Sequence, residues 1–336
     1  MYRLLFLPVL LLGILALSRQ PDRLPVVDAD TPVHEVLKAL GEPQRADVTP
    51  RPVAGASAEL GARLVLEGLR AKGGRQSPHF KCTSCHNVVR EDLVLTAPDP
   101  EARLTYAVAN DLPFLPGTTL WGAVNRESYY NGDYDKKYGD LVLDARHDLR
   151  GAIQLCAVEC AQGEPLSEVE MESVVAYLHT LGLRLGDLPA EAPSVSAVNR
   201  AIEHGGGREL ADQLRSHYSL ASPATFVLPP EDRKAGYAVA EAADAPTGRA
   251  LYERGCLHCH ENQRYSFFNL DRRDDDYDYL AKHFPRYTRY SVYQVSRYGT
   301  SPIPGKRAYM PHYTAERMSD RQVESLRDFI EQGASK

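Results

Sequence analysis

Cys82-Thr83-Ser84-Cys85-His86 and Cys256-Leu257-His258-Cys259-His260 are two copies of one five-residue pattern, and their reading decides the fold. In C-x-x-C-H the two thiols suit addition to the two vinyl groups of haem, and the next histidine offers its imidazole to the iron. A zinc site would draw four cysteines into one tetrahedron. It gives no reason for each distant pair to carry its own histidine. The motifs therefore predict two covalently bound haem c groups. Cys82, Cys85, Cys256 and Cys259 are the attachment residues, with His86 and His260 as the proximal iron ligands.

Helical patterns surround both motifs. Downstream of the second, Ser319 with Gln322 forms a capping box, and Val323, Leu326, Phe329 and Ile330 make an apolar face. Upstream, Gly248, Tyr252 and Cys256 fall four apart, with a small residue where a partner helix can come close. Around the first motif, Glu59 to Leu69 reads as an amphipathic helix. Ser167 with Glu170 is a second capping box, followed by Met171, Val174, Val175, Leu178 and Leu181 at helical spacing. Tyr177 lies ten residues after Ser167, as Phe329 lies ten after Ser319, which reads as an internal repeat of the fold.

The segment from about Thr247 to the C-terminus, carrying Thr-Gly-Arg-Ala-Leu-Tyr-Glu-Arg-Gly-Cys and Tyr309-Met310-Pro311, resembles class I cytochrome c. The resemblance implies crossing terminal helices and makes Met310 the distal ligand of the second haem. Met318 is the alternative, although it directly precedes the helix cap. A His/Met site implies a relatively high potential.

No loop methionine serves the first motif, where the chain instead carries Cys156 and Cys160. Three readings stand: a Cys156–Cys160 disulfide, two inert thiols, or one thiolate on the first iron. His147 is a further distal candidate. The stretch Ala152-Ile153-Gln154-Leu155-Cys156, with Gly163-Glu164-Pro165-Leu166 and Glu170-Met171, is similar to the diheme thiosulfate dehydrogenases. That similarity implies a His/Cys haem with Cys156, or else Cys160, as ligand.

The expected fold is mostly α: two tandem cytochrome c-like haem domains with long loop insertions. An N-terminal arm (19–58) precedes the first domain (59–185). A linker (186–246) holds one short helix near Glu209 to His217, and the second domain is 247–336. Residues 111–149 form a long aromatic-rich loop, and 284–298 a haem-packing helix with a basic edge from Arg286, Arg289 and Arg297. Arg3 and the apolar run Leu4 to Leu17 make residues 1–18 a signal peptide or an N-terminal membrane anchor, which places the chain in the periplasm or another exported location.

With 336 residues and a net charge of −6, the chain has room for two cores and no basic excess to suggest nucleic acid. The expected function is electron transfer between the two haems and a respiratory partner protein. The alternative is a haem-dependent oxidoreductase acting on a small sulfur anion, with Cys156 as ligand and catalytic sulfur and Arg150 holding the anion. A diheme peroxidase ranks third, since the cysteine pair gives it no support.

Overall fold

A computed structural model describes residues 25–301 and 309–334, and the expected signal peptide or anchor at 1–18 lies outside them. The chain is mostly α-helical, with no β-strand among the described residues. In chain order the helices are α1 (Val33–Ala39), α2 (Ala58–Glu67), α3 (Pro100–Ala109), α4 (Tyr134–Tyr138), α5 (Leu149–Leu155), α6 (Glu168–Thr180), α7 (Val195–His204), α8 (Gly207–Arg215), α9 (Ala245–Leu251), α10 (Leu257–His260), α11 (Asp274–His283), α12 (Val292–Tyr298) and α13 (Asp320–Gly333).

Two helix crossings organise the molecule, α2 on α6 and α9 on α13. Both capping boxes form, Ser167 with Glu170 and Ser319 with Gln322. At each crossing a glycine lets two backbones meet. A Cβ on Gly61 would lie 1.9 Å from the Ser173 carbonyl oxygen, and one on Gly248 would lie 1.9 Å from that of Ser325. Tyr177 and Phe329 flank the two contacts in the same way, with Cβ atoms 2.8 and 2.7 Å from those points. The helix caps repeat the pattern. The N–H groups of Ser57 and Asp244 donate to the Ser173 and Ser325 hydroxyls, both at 3.1 Å. The internal repeat is thus present at atomic detail, and Gly61 is the member that the sequence reading passed over.

The rest of the chain departs from a plain two-part division. Leu104 and Ala107 of α3, with Phe114 beyond it, lie in the core of the second crossing, beside Leu251, Leu326 and Ile330. The Tyr313 hydroxyl donates to the Phe114 carbonyl at 2.8 Å, and the two rings stack. A helix that follows the first motif in sequence therefore packs beside the second. The linker also holds two helices, not one. Ser194 caps α7, and Val198 and Ile202 are buried. Together with Val33 and Val36 of the arm and Leu214 of α8 they form a separate small core. The arm is thus part of a packed unit.

Two expected exposures are overturned by pairing that the sequence does not reveal. Arg297 lies fully buried, bonded to the Met318 carbonyl and to Asp320, so it forms no basic edge. The helix there is only α12, while Arg286 and Arg289 are exposed on the turn before it. Arg150 is likewise buried, a point taken up below.

Arg70 ties the chain after α2 to the capping box of α6, donating to both oxygens of Glu170 at 2.9 and 2.7 Å. That bond outweighs burial and holds the Glu170 carboxyl down to about 2. A carboxyl lowered in the folded state stabilises the protein above its ordinary range and loses that contribution as pH falls towards 2. Arg70→Ala is therefore expected to lose roughly 2 kcal/mol at pH 7, since Ser167 and the Ala71 N–H still bind Glu170, with the gap to the parent closing as pH falls from 5 towards 2. Urea titrations across that range measure it. A gap independent of pH would show that Arg70 acts by packing alone.

Candidate haem-binding site

The first motif starts a tight turn, Cys82–Ser84, and the second ends a helix running from α9 through a wide turn at Tyr252–Cys256 into α10. None of the six cysteines is joined to another, so the expected alternative of a Cys156–Cys160 disulfide is not what forms. Burial raises the motif thiols, Cys82 to about 11 and Cys256 and Cys259 to about 12. They are held as neutral thiols.

Both motif histidines are oriented from behind. His86 Nδ1 lies 2.7 Å from the Thr118 carbonyl, and His260 Nδ1 lies 2.9 Å from that of Phe268. A carbonyl only accepts, so each Nδ1 carries the proton and each Nε2 keeps its lone pair. Burial lowers both rings, which keeps them neutral. A neutral imidazole with Nε2 free and its other nitrogen anchored is the state an iron ligand requires. With the paired thiols alongside, these donors fit haem c at both motifs.

The two motifs touch each other. Cys259 Sγ lies 3.9 Å from the Ser84 carbonyl oxygen, and the ring of His258 sits against the backbone of Thr83 and Ser84. Cys259 and His258 of the second motif thus meet the x-x residues of the first.

Cys156 and Cys160 meet at a one-turn π bulge, Cys156–Cys160, that follows α5. Their thiols are hydrogen-bonded to each other, and Cys160 also accepts from the Tyr309 hydroxyl. Those two donors lower the Cys160 thiol, while the bond and burial raise Cys156. Cys156 lies close to Cys82 and Cys85, and Cys160 lies close to Cys85. Both therefore sit beside the first motif. Met310 is half-buried, its N–H donating to the Thr300 hydroxyl at 2.7 Å. Tyr309 lies edge-on to Phe80 and beside Cys160. Met318, the alternative to Met310, is 3 % exposed within the second core and is filler there.

Other expected residues lie elsewhere. His147 is exposed, its Nδ1 3.3 Å from the Glu127 carbonyl. Arg150 spends every donor nitrogen on Glu172 and on the carbonyls of Ala46, Asp47 and Thr49, leaving none for an anion. Two histidines were missed. His79, next to Phe80, has both ring nitrogens buried without partners, and His312 has Nε2 in that state beside Lys137. The position of His79 three residues before Cys82 was the available signal.

Residues 243–330 match the family described as cytochrome C oxidase, cbb3-type, subunit III. The match spans α9 to α13 and the second motif, so this part of the chain is a c-type cytochrome domain, a carrier of covalent haem c built for electron transfer. No curated protein and no solved structure matches the chain.

Proposed function

We propose that this protein is an exported diheme c-type cytochrome that passes electrons between its two covalently bound haems and a respiratory redox partner. The observation that carries it is the contact between the two motifs, with Cys259 Sγ 3.9 Å from the Ser84 carbonyl oxygen. Bound haem supplies a reversible one-electron couple at its iron. The chain's own residues do the rest. Cys82, Cys85, Cys256 and Cys259 fix position, and His86 and His260 present Nε2 in one tautomer. Because Cys259 and His258 of the second motif meet Thr83 and Ser84 of the first, the residues that would hold one haem lie against those that would hold the other. Met310, close to the start of the closing helix α13, is the proposed distal ligand of the second centre. One of Cys156 and Cys160 is that of the first.

The respiratory partner follows from the matched family's description, and the exported location from C-x-x-C-H chemistry on a chain with an apolar N-terminus. Among the described residues no helix is long and apolar enough to cross a membrane. A second reading, oxidation of a small sulfur anion at the first centre, is favoured by the Cys156–Cys160 pair with Lys137 close to Cys160. It loses Arg150 as the anion's holder.

Low-temperature EPR of the oxidised protein, with a haem count, tests the proposal. Two low-spin signals are expected. One should have the narrow g-spread of thiolate ligation and vanish in Cys156→Ala or in Cys160→Ala. A single haem per chain sinks the diheme reading. Two haems without a thiolate signal sink the cysteine ligand and turn attention to His79. Reduction of the haems by thiosulfate without a partner protein would favour the second reading.

A further inference from the structure

Behind the first motif lies a buried charge cluster whose members come from three distant parts of the chain. Glu91 is 1 % exposed, Arg103 1 % and Arg317 6 %. Arg317 binds one oxygen of Glu91 at 2.7 Å, and Arg103 stands 3.9 Å from the other. Asn87 donates to that second oxygen at 2.8 Å. Such a cluster is costly to bury, and leaving one member unpaired costs more. Its place in the fold suggests what it does. Oε1 of Glu91 accepts from the Thr119 N–H at 2.9 Å. The same peptide group carries the Thr118 carbonyl, which accepts from His86 Nδ1 at 2.7 Å. Arg317 also donates to the carbonyls of Gly117 and Leu115, at 2.8 and 3.0 Å, pinning the segment that leads into this peptide.

We propose that Glu91 tunes His86 as an iron ligand through the Thr118–Thr119 peptide, and that Arg317, from the other end of the chain, is the positioning residue that holds this relay in line. The inference rests on the reading that the first motif carries haem.

The chemistry is that of a polarised hydrogen-bond chain. A carboxylate on the N–H side of a peptide draws that proton and leaves more negative charge on the carbonyl oxygen. The Thr118 oxygen then becomes a better acceptor for the Nδ1 proton, and the imidazole gains anionic character. A more basic ligand favours the oxidised iron, so the relay lowers the potential of the first centre. The second centre, where the Phe268 carbonyl does the anchoring, serves as an internal control.

The experiment compares the full-length holoprotein with Glu91→Gln and with Glu91→Gln/Arg317→Met. The double variant removes one charge of each sign, so the net charge of the cluster is unchanged. In both variants spectroelectrochemistry is expected to raise the potential of the first haem by about a tenfold change in its oxidised-to-reduced ratio, about 59 mV, with the second unmoved. In the reduced protein labelled with 15N-histidine, the Nδ1 proton of His86 is expected to move upfield while that of His260 stays. If neither variant folds, the parent alone decides, since the relay requires the His86 proton to lie downfield of the His260 proton. Two haems with an unmoved first potential, or both potentials shifted equally, overturn the relay and leave the diheme reading intact. Haem on the second motif alone overturns both.

Discussion

Gly248→Ala, and equally Gly61→Ala, is expected to cost about 3 kcal/mol or more of folding stability, the upper range for forcing extra volume into a packed site. The added methyl carbon would sit 1.9 Å from a backbone carbonyl oxygen across the crossing, and that oxygen belongs to a helix that cannot yield alone. Helix propensity pulls the other way by up to ~1 kcal/mol, since alanine suits a helix better than glycine. The clash wins, because α9 and α13 must separate along their whole contact to relieve it. Gly206→Ala is the control. That glycine has φ of −92° and nothing within 4 Å of an added Cβ. Denaturant midpoints of the three variants should put Gly206→Ala with the parent and the other two far below. A mild effect at Gly248 would mean that the two helices do not approach as closely as described.

Arg150→Ala has the second large effect, and it is one of stability and not of substrate binding. Removing the guanidinium leaves Glu172, 2 % exposed, without its partner and three carbonyls without a donor. A buried charge stripped of its partner typically costs 3–5 kcal/mol, so a loss of about 4 kcal/mol is expected. Arg150 holds the Glu172 carboxyl below its ordinary value. The loss should therefore be full near neutrality and shrink as acid protonates Glu172. Arg150→Met/Glu172→Leu, which removes both charges, should recover much of it. If Arg150→Ala instead folds like the parent and weakens the response to thiosulfate, the residue serves an anion after all.

What could be read from sequence was whatever is local. C-x-x-C-H needs five residues, and a capping box needs four, so the motifs and the starts of α6 and α13 stood out. Gly248 stood out because Tyr252 and Cys256 follow on the same helical face. Gly61 did not, because a Gly- and Arg-rich insertion separates its helix from Cys82 and hides the common spacing. Buried arginines are the plainest failure. Arg150, Arg297 and Arg317 look like surface residues in sequence, and their fate depends on partners up to 226 positions away, as for Glu91 and Arg317. Packing α3 against the second crossing was illegible for the same reason, since Phe114 and Tyr313 stack across 199 positions.

The contact between the two motifs has a consequence in time. Ser84 and Cys259 are 175 positions apart, so their meeting closes a long loop. Loop closure over such distances is slow and comes after local helices and the two crossings are in place. The crossings α2 on α6 and α9 on α13 can thus form before the two motifs become neighbours. On the proposed diheme reading, a partly folded chain would hold two centres not yet in contact.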